Sequence, residues 1–422
     1  MKILYYGMSP FVPSGYGKCT KELVFRLRKW FEIDINSYYA FTNSELTIET
    51  EYGKIKIMGN TLGNSLWDPK LPVRAMNYDV VVTHMDQWFI WSEWPKVKRP
   101  LIHWLVMDHD PVSPIIRKIV GMENVARIVP TSYWAKKQLL RDCKEHSDVI
   151  GEPIYHGVDP NIYTPEIRRK IPREILLKAM GFPEDCEFLV GAVVANVGIR
   201  ELIPTMIEAF ALFIKETNAK AYLYIHAYPY KWGPAAYDLV TVRDVICEHY
   251  GISKDLIRFK GEDLTEKQMA QVYNTIDVQL MTIMGGSFEI PLIEAGACET
   301  PSITTNFSGM PEVVGYGERG LLVEPTAYIW LQALSAKHAV VNAKDVAEAI
   351  RIYYEDKKLR EKHGKKMREW ILKNCTWDIV AEKWKKLLEE VENEIKSYEK
   401  AYFAGRDVDK REWDVIYSEI SP

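Results

Sequence analysis

The chain has 422 residues, of which 47% are apolar and 27% charged, and its formal net charge is −4. This length exceeds what one hydrophobic core usually holds, so two domains of roughly 150 to 200 residues are expected. The small acidic charge argues against a dedicated nucleic-acid-binding protein, and no apolar run approaches the ~20 residues that a membrane span needs.

The six cysteines contain no CxxC or CxxH pair. This spacing is evidence against a disulfide framework and against a zinc site. The start, MKILYYG, resembles a short strand rather than a signal peptide, so we expect a reducing, cytoplasmic location. Six glutamines beside abundant lysine and glutamate point towards a heat-adapted (thermophilic) source.

Short apolar runs alternate with segments of helical period through the first part of the chain. They run in the order KILYYG, TKELVFRLRKWF, DVVVTH, PLIHWLVMD, ARIVPTS and YWAKKQLLRDC. Such alternation is typical of a parallel sheet with crossover helices. It lapses between 160 and 187 into a stretch rich in proline and charge. We therefore predict a first Rossmann-like domain over residues 1–175.

A second α/β series runs from FLVGAVVA to GLLVEP, and residues 343–400 are helical in pattern. We predict a second Rossmann-like domain over 176–385, and a C-terminal helix and tail over 386–422 that return to the first domain. The fold class is thus α/β, with two doubly wound parallel-sheet domains facing a cleft. Ligands of such sheets bind beyond the carboxyl ends of the strands.

The loop after the first strand, SPFVPSGYGKC, contains Gly15 and Gly17. Its spacing fits neither the dinucleotide fingerprint GxGxxG, whose third glycine is absent, nor the P-loop motif. The remaining interpretation is a glycine loop that can pack closely against a ligand.

The run PLIHWLVMDHDPVSP places Asp108 and His109 at the end of a buried strand. A histidine there could orient a hydroxyl or take part in acid–base chemistry. The alternative is a histidine that only caps the strand end. We predict no metal site, because the triplet lacks a demonstrated fourth ligand.

Two further clusters leave alternatives open. Tryptophans crowd one region, and they predict either a packed core or an acceptor or membrane-surface patch: they are Trp88, Trp91, Trp94 and Trp104. The basic run KKLREKHGKKMR, residues 357–368, predicts a solvated helix face or a contact with anionic lipid.

The segment MTIMGGSFEIPLIEAGAC follows the strand-like run DVQLMT. Pro291 suits the first turn of a helix that ends before Pro301. Gly285 and Gly286 would let backbone N–H groups and the helix N-terminus approach a phosphate. Glu294 could accept hydrogen bonds from a ribose or sugar diol. The alternative is a glycine-rich turn with a solvated glutamate.

The longer stretch GGSFEIPLIEAGACETPSITTNFSGMPEVVGYGERGLLVEP resembles the signature region of family 4 retaining glycosyltransferases (glycosyl transferases group 1) of GT-B fold. Further segments occur in the order of that family: PSGYGK, RIVPTSYWAKKQL, YHGVDPNIYTP and EAFALFIKE. The resemblance covers about residues 1 to 390, and the motifs are specific in combination.

The resemblance implies roles for particular residues. Glu294 matches the glutamate that holds the nucleotide ribose. The glutamate that faces the donor sugar would fall on Gly286, so the sequence departs from the family there. Glu289 is the nearest acid and could replace it if the turn is not helical. Arg200 is the only base in VVANVGIRE, where the family usually offers an Arg and a Lys to the diphosphate.

The resemblance thus implies catalytic roles for His109, Asp108 and Glu289, and a donor-binding set without a metal. The donor-binding residues are Gly15, Gly17, Asn196, Arg200, Gly285, Gly286, Ser287, Phe288, Ile290 and Glu294.

The expected function is that of a retaining, hexosyltransferase-type glycosyltransferase. It would transfer a sugar from a nucleotide-diphosphate sugar to an acceptor hydroxyl, without an obligatory cofactor. The expected partners are a nucleotide sugar and a glycan, lipid-linked or small-molecule acceptor, with peripheral membrane contact as an option and no nucleic acid. The alternatives are a catalytically silent nucleotide- or glycan-binding module and a nucleotide-sugar epimerase.

Overall fold

The computed structural model of the protein describes residues 1–39, 42–231, 233 and 235–403. The predicted tail beyond residue 403 therefore lies outside the described residues. The chain forms two compact units. Among the described residues, unit 1 comprises Met1–Gly157, Ala333–Ala336 and Trp377–Phe403, and unit 2 comprises Val158–Gln332 and Lys337–Thr376.

Unit 1 is built on a seven-stranded sheet of order β3-β4-β2-β1-β5-β6-β7. Its strands are β1 (Lys2–Met8), β2 (Glu32–Tyr38), β3 (Glu45–Thr50), β4 (Gly53–Met58), β5 (Val80–Met85), β6 (Leu101–Leu105) and β7 (Val125–Pro130). The pairs are parallel except for the antiparallel edge pair of β3 and β4. Every residue of β5 and β6 is buried, as expected of central parallel strands whose faces are both covered.

The helices of the first part of unit 1 are α1 (Gly15–Leu27), α2 (Leu71–Ala75), α3 (Pro114–Val120) and α4 (Tyr133–Asp142), with 3-10 segments at Gln87–Lys96 and Lys144–Val149. Helix α1 begins where the Ser14 hydroxyl accepts a hydrogen bond from the Gly17 N–H group at 3.1 Å. Its face of Leu23, Val24 and Leu27 is buried. The glycine loop is therefore held between β1 and α1.

Unit 2 is built on an all-parallel six-stranded sheet of order β10-β9-β8-β11-β12-β13. Its strands are β8 (Phe188–Val193), β9 (Ala221–His226), β10 (Ile257–Lys260), β11 (Val278–Met281), β12 (Ser302–Thr305) and β13 (Leu321–Val323). A two-stranded sheet is formed by β14 (Ala327–Leu331) and β15 (Ala336–Val340).

The helices of unit 2 are α5 (Glu166–Lys170), α6 (Arg173–Ala179), α7 (Ile203–Thr217), α8 (Leu239–Tyr250), α9 (Glu266–Thr275), α10 (Ile290–Ala297), α11 (Met310–Val313), α12 (Ala343–Glu355) and α13 (Lys357–Asn374), with 3-10 turns at Ile199–Glu201, Lys254–Leu256 and Gly315–Gly317. Helix α10 begins with Pro291 in its first turn and ends before Pro301, which confirms that prediction. It lies directly after the central strand β11.

The last helix, α14 (Trp377–Phe403), belongs to unit 1 and packs on α1. Trp384 is fully buried, and its ring centroid lies 5.4 Å from that of Trp104. Arg26 of α1 donates to the Asp378 carboxylate at 2.8 Å. Helix α14 thus packs within unit 1, and the domain bounds of 1–175, 176–385 and 386–422 stay a prediction.

The tryptophan cluster is mainly core. Trp94 and Trp104 are fully buried, and Trp88 and Trp91 pack partly buried against the same core. Within the part of the chain that the structure describes, no helix combines the length and the apolarity that a membrane crossing requires.

Candidate functional site

The segment between β11 and α10 forms the centre of the candidate site in unit 2. Glu289 immediately precedes α10 and has extended backbone angles, φ −81° and ψ 119°. Its side chain is therefore not fixed by helical geometry. The condition under which Glu289 could take the place of an acid at position 286 is met.

The carboxylate of Glu289 lies beside the backbone of Gly286. A Cβ atom built on Gly286 would fall 2.6 Å from Glu289 Oε1 and 2.5 Å from its Cγ. No side chain can occupy position 286 while Glu289 keeps this conformation. The glycine and the glutamate thus form one local arrangement, in which residue 289 fills the space beside residue 286.

Ser308 fixes Gly286 from the opposite side. The Gly286 N–H group donates to the Ser308 hydroxyl at 2.9 Å, and the Gly309 N–H group donates to the Gly286 carbonyl at 3.0 Å. Ser308 has a positive φ of 59°, an uncommon conformation for a residue other than glycine. The Ser-Gly turn before α11 therefore holds the loop in place.

Arg200 projects from the 3-10 turn after β8 towards the same loop. Its Nη1 donates to the Gly285 carbonyl at 3.0 Å and lies 3.8 Å from Glu289 Oε1. Its Nη2 lies 2.6 Å from the buried Glu201 carboxylate. The guanidinium is thus oriented by three groups, and its side chain is 37% exposed.

Glu294 lies within α10 and is buried with two tyrosine phenols. Tyr273 of α9 donates to Glu294 Oε2 at 3.1 Å. Burial and the Glu294 charge raise the pKa of Tyr273 and of Tyr163, so both phenols stay protonated and can donate to the carboxylate. A carboxylate has about four acceptor positions and can accept several hydrogen bonds at once.

The remaining predicted donor-binding residues of unit 2 surround this arrangement. Asn196 uses both amide hydrogens on the carbonyls of Tyr228 and Tyr237, at 3.0 and 2.8 Å, and so holds the loop that follows β9. Ser287, Phe288 and Ile290 are buried between Gly286 and α10. Asn196 is therefore placed to position a loop, and its donor-binding role stays a prediction.

In unit 1, Gly17 is required by close packing within its own loop. A Cβ atom there would lie 2.2 Å from the Val12 carbonyl oxygen and 2.9 Å from that of Ser9. Gly15 is the first residue of α1. The loop backbone is thus folded tightly on itself, which supplies a structural reason for Gly17 independent of any ligand.

Asp108 and His109 follow β6 and interact with each other. His109 Nδ1 lies 3.2 Å from Asp108 Oδ1, and the Ser113 N–H group, 3.4 Å from His109 Nε2, donates to it. This assigns the ring proton to Nδ1, directed at the carboxylate. His109 is buried, whereas the Asp108 side chain is partly exposed. The pair orients the ring as a carboxylate–imidazole unit.

Sequence reasoning missed Tyr163, Tyr273 and Ser308. The tyrosines come from elements distant in sequence from Glu294, and nothing in their local pattern links them to it. The turn SGMPE was visible in the sequence, but only the fold shows that Ser308 binds Gly286.

One segment of the chain matches a known family. Residues 190–354, which include Arg200, Gly286, Glu289 and Glu294, match the family model "Glycosyl transferases group 1". This segment belongs to the glycosyl transferases group 1 family. It runs from within β8 to within α12 and contains the elements that position the candidate site.

Curated relatives of this chain include two bacterial proteins. Over 220 residues it is 24% identical to N-acetyl-alpha-D-glucosaminyl L-malate synthase of Bacillus anthracis, covering 52% of this chain and 51% of that protein. Over 274 residues it is 23% identical to D-inositol 3-phosphate glycosyltransferase of Streptomyces avermitilis, covering 60% and 56%. The chain thus spans little more than half the length of the curated relatives it matches.

Solved structures share the GT-B fold with this chain. Sucrose-phosphate synthase from Thermosynechococcus elongatus matches with a TM-score of 0.70 and 17% identity, over 93% of this chain and 99% of that one. Anabaena Alr3699/HepE, crystallised with UDP and glucose, matches with a TM-score of 0.67 and 16% identity, over 92% and 100%. The predicted fold class, with two Rossmann-like units, is confirmed.

Proposed function

We propose that the protein is a retaining glycosyltransferase that transfers a sugar from a nucleotide-diphosphate donor to an acceptor hydroxyl. The observation that carries the proposal is the grouping of Arg200, Gly286 and Glu289 at the start of α10. Arg200 offers a positive charge to the diphosphate. Gly286 lets a ligand approach the backbone closely, and Glu289 offers a carboxylate to the attached sugar.

Arg200 and the N-terminal end of α10 bind the diphosphate. Negative charge builds on the leaving phosphate as the glycosidic bond breaks, and a guanidinium beside a helix N-terminus stabilises that charge. Because these groups are already oriented in the protein, they stabilise the transition state without reorganisation. Catalysis is then mainly electrostatic and positional, with no obligatory metal.

Glu289 takes the place of the family's sugar-facing carboxylate. Its carboxylate lies where a side chain of residue 286 would begin, so it reaches the space beside Gly286 from three residues further along the chain. A carboxylate accepts hydrogen bonds from the hydroxyls of the donor sugar and favours a transient positive charge on its ring.

Glu294 binds the nucleotide ribose, supported by Tyr163 and Tyr273. The Tyr273 phenol holds the carboxylate in place, and a carboxylate is a suitable acceptor for the paired hydroxyls of a ribose. The donor accordingly belongs to the predicted second domain, residues 176–385, with Ser287, Phe288 and Ile290 beside it.

The acceptor side belongs to the predicted first domain, residues 1–175. The Asp108–His109 pair orients the acceptor hydroxyl, and Gly15 and Gly17 keep their predicted donor-binding role. The names of the matched relatives mention malate, inositol 3-phosphate and sucrose phosphate, which supports a small hydroxylated acceptor as readily as a glycan or lipid. The UDP in one matched structure supports a nucleotide-sugar donor.

A panel of UDP-, GDP- and ADP-sugars tests the proposal. The protein is incubated with each donor and mixed acceptors, release of nucleoside diphosphate is measured, and thermal shifts by the free nucleotides are recorded in parallel. We expect one nucleotide to raise the melting temperature and its sugar to be turned over. A Glu294→Ala variant should lose most of its affinity for that nucleotide.

The same panel separates the alternatives. Thermal stabilisation without turnover across the acceptor panel would identify a silent nucleotide-binding module. Conversion of the donor sugar without any acceptor would identify a nucleotide-sugar epimerase. Full donor affinity in Glu294→Ala would contradict the ribose assignment alone.

A further inference from the structure

Three side chains of metal-binding type meet inside unit 1. They are Cys19 of α1, His84 of β5 and His156 of the segment that follows β7. One ligand atom from each lies within 4.8 Å of the other two, and the Nε2 atoms of the two histidines are 3.1 Å apart. All three side chains are buried, with His156 the most exposed at 6%.

These separations are close to those of a metal site. In a tetrahedral zinc site with Zn–N near 2.0–2.1 Å and Zn–S near 2.3 Å, the ligand atoms lie about 3.3–3.6 Å apart. The two imidazole nitrogens already approach this spacing. An ion would need to draw the most distant pair together by roughly 1 Å, which side-chain rotation of a cysteine can supply.

The Nε2 atom of His84 is the one that faces His156. Its Nδ1 atom, on the other edge of the ring, is buried and has no hydrogen-bond partner among the residues that the structure describes. An ion held between the two Nε2 atoms therefore leaves Nδ1 outside its coordination shell.

Aromatic side chains surround the three residues and hold the rings of His84 and His156 in place. His84 stacks on Trp104 with centroids 4.3 Å apart and meets the edge of Tyr16 at 4.9 Å. Trp104 also contacts His156, with centroids 5.0 Å apart. The donor set is therefore already positioned in surroundings that exclude most water, which lowers the cost of assembling a site.

We propose that Cys19, His84 and His156 bind a transition-metal ion of the Zn²⁺ class. One thiolate and two imidazoles suit zinc or a similar borderline-soft ion, whereas Mg²⁺ and Ca²⁺ require oxygen ligands that the set does not contain. On binding, the Cys19 thiol loses its proton to solvent and a water takes the fourth position. The ion ties α1, and with it the glycine loop, to β5.

None of these three residues belongs to the candidate site of unit 2, and the ion takes no step in the proposed sugar transfer. The spacing of cysteines along the sequence gave no sign of it, because its ligands come from three elements that are 65 and 72 residues apart in the chain, at positions 19, 84 and 156. Only the parallel order of β1 and β5 brings them together.

Metal binding to the full-length protein tests the proposal. The chelator-treated protein is titrated with ZnCl₂ by calorimetry and with CoCl₂ by absorption spectroscopy. We expect one equivalent of metal per chain and a cobalt spectrum with tetrahedral ligand-field bands and a thiolate-to-cobalt charge-transfer band. Cys19→Ser should lower zinc affinity more than about tenfold and abolish the charge-transfer band.

Cys143→Ser is the matched control, because Cys143 is also buried in unit 1 but is not part of the cluster. It should keep both the stoichiometry and the spectrum. If Cys19→Ser does not fold, the charge-transfer band of the wild-type protein and its loss in His84→Gln decide the matter. The proposal would be overturned if ZnCl₂ added to the protein gave no more heat than ZnCl₂ added to buffer alone. An unchanged cobalt spectrum in Cys19→Ser would also overturn it. The two histidines would then be a simple hydrogen-bonded pair.

Discussion

The most informative residue pair is Gly286 and Glu289, because each sets the conformation open to the other. A methyl group at position 286 would collide with the Glu289 carboxylate. Since that carboxylate is the far end of a flexible side chain, it can rotate away at little cost in stability. The collision should therefore be expressed in function rather than in folding.

We predict that Gly286→Ala lowers kcat/KM for the best donor about as much as Glu289→Ala does, roughly 100-fold, while the melting temperature changes little. The double variant Gly286→Ala/Glu289→Ala should be hardly worse than either single variant, because both changes remove the same carboxylate from the same place. Steady-state kinetics of the three variants measures this coupling.

Additive losses in the double variant would show that Gly286 and Glu289 act independently. A large fall in the melting temperature of Gly286→Ala would show that the glycine serves packing instead. Either result would remove the structural argument for Glu289 as the replacement acid.

A second residue-scale prediction concerns Tyr273. Tyr273→Phe removes the donor that lies 3.1 Å from Glu294 Oε2 and frees the carboxylate to move. We expect donor KM to rise about three- to tenfold with a smaller change in kcat, because one hydrogen bond to a charged group contributes about 1.5–3 kcal/mol at most.

Tyr353→Phe is the control for this prediction. Tyr353 is an equally buried tyrosine of unit 2, but its hydroxyl contacts His363 and not Glu294. Its removal should leave donor KM unchanged. Equal KM values for Tyr273→Phe and wild type would count against a ribose-binding Glu294 that depends on its phenol support.

At this scale the sequence predicted residues whose motif is local and missed those whose partners are distant. Glu294 and the Gly285–Gly286 turn follow from one short stretch. Whether Glu289 could reach the space at 286 depends on backbone angles at a single residue, which no periodicity predicts. Tyr163 reaches Glu294 only through the fold.

At the scale of elements, β6 contains a buried histidine with a consequence for stability. His103 contacts the Thr83 hydroxyl of β5 at 2.7 Å, and burial lowers its pKa to about 3. In the unfolded chain the pKa of His103 has its ordinary value near 6.5, so the ring binds a proton below that pH. In the folded state the ring stays unprotonated over most of this range. The free energy of unfolding therefore falls as the pH drops from about 6.5 towards 3.

This histidine should contribute a loss of about 1.4 kcal/mol for each pH unit below 6.5. We predict that His103→Asn flattens the pH dependence of the free energy of unfolding by that slope between pH 6.5 and 5. Denaturant unfolding followed by tryptophan fluorescence reports on it, since Trp94 lies 5.1 Å from the ring.

His249→Asn, on an exposed position of α8, should retain the wild-type dependence. If the free energy of unfolding of His103→Asn depended on pH as steeply as that of the wild type, the loss of stability in acid would come from other buried groups.

Elements with strong local signals were predicted well. The alternation of apolar strands and amphipathic helices predicted both parallel sheets, and Pro291 marked the start of α10. The short edge strands β3 and β4 were not predicted, because ELTIET and GKIKIM are half-exposed and mixed in polarity. Whether such segments form strands depends on their pairing with other strands in the fold rather than on the local sequence pattern.

At the scale of the whole molecule, the stability of unit 1 depends on residues from the end of the chain. Trp384 of α14 packs on Trp104 of β6, so the first and last parts of the sequence share one core. We predict that Trp384→Ala lowers the free energy of unfolding by about 3–5 kcal/mol, the cost of removing a buried aromatic side chain.

Trp330→Ala is the matched control, because Trp330 is 60% exposed. It should change the free energy of unfolding by less than about 0.5 kcal/mol. Chemical denaturation of both variants measures the difference, and equal stabilities would show that α14 is dispensable for the fold of unit 1.

The assignment of function rests on a site whose pieces come from several parts of unit 2. The sequence predicted the family from ordered motifs, and the match of residues 190–354 agrees with it. The motifs could not predict the nucleotide base, the sugar or the acceptor. Specificity for these groups depends on how side chains from distant parts of the chain are arranged around the ligand, and this arrangement has no local sequence pattern.

The central claim is that the start of α10 catalyses turnover of a nucleotide sugar. The most direct test is kcat for nucleoside diphosphate release from the best donor, measured in Glu289→Gln and in Glu299→Gln. Glu299 follows the same helix at its other end and pairs with Arg169, so it serves as the matched control. We predict a loss of roughly 100-fold in Glu289→Gln and wild-type kcat in Glu299→Gln. Wild-type kcat in Glu289→Gln, or equal losses in the two variants, would contradict the account.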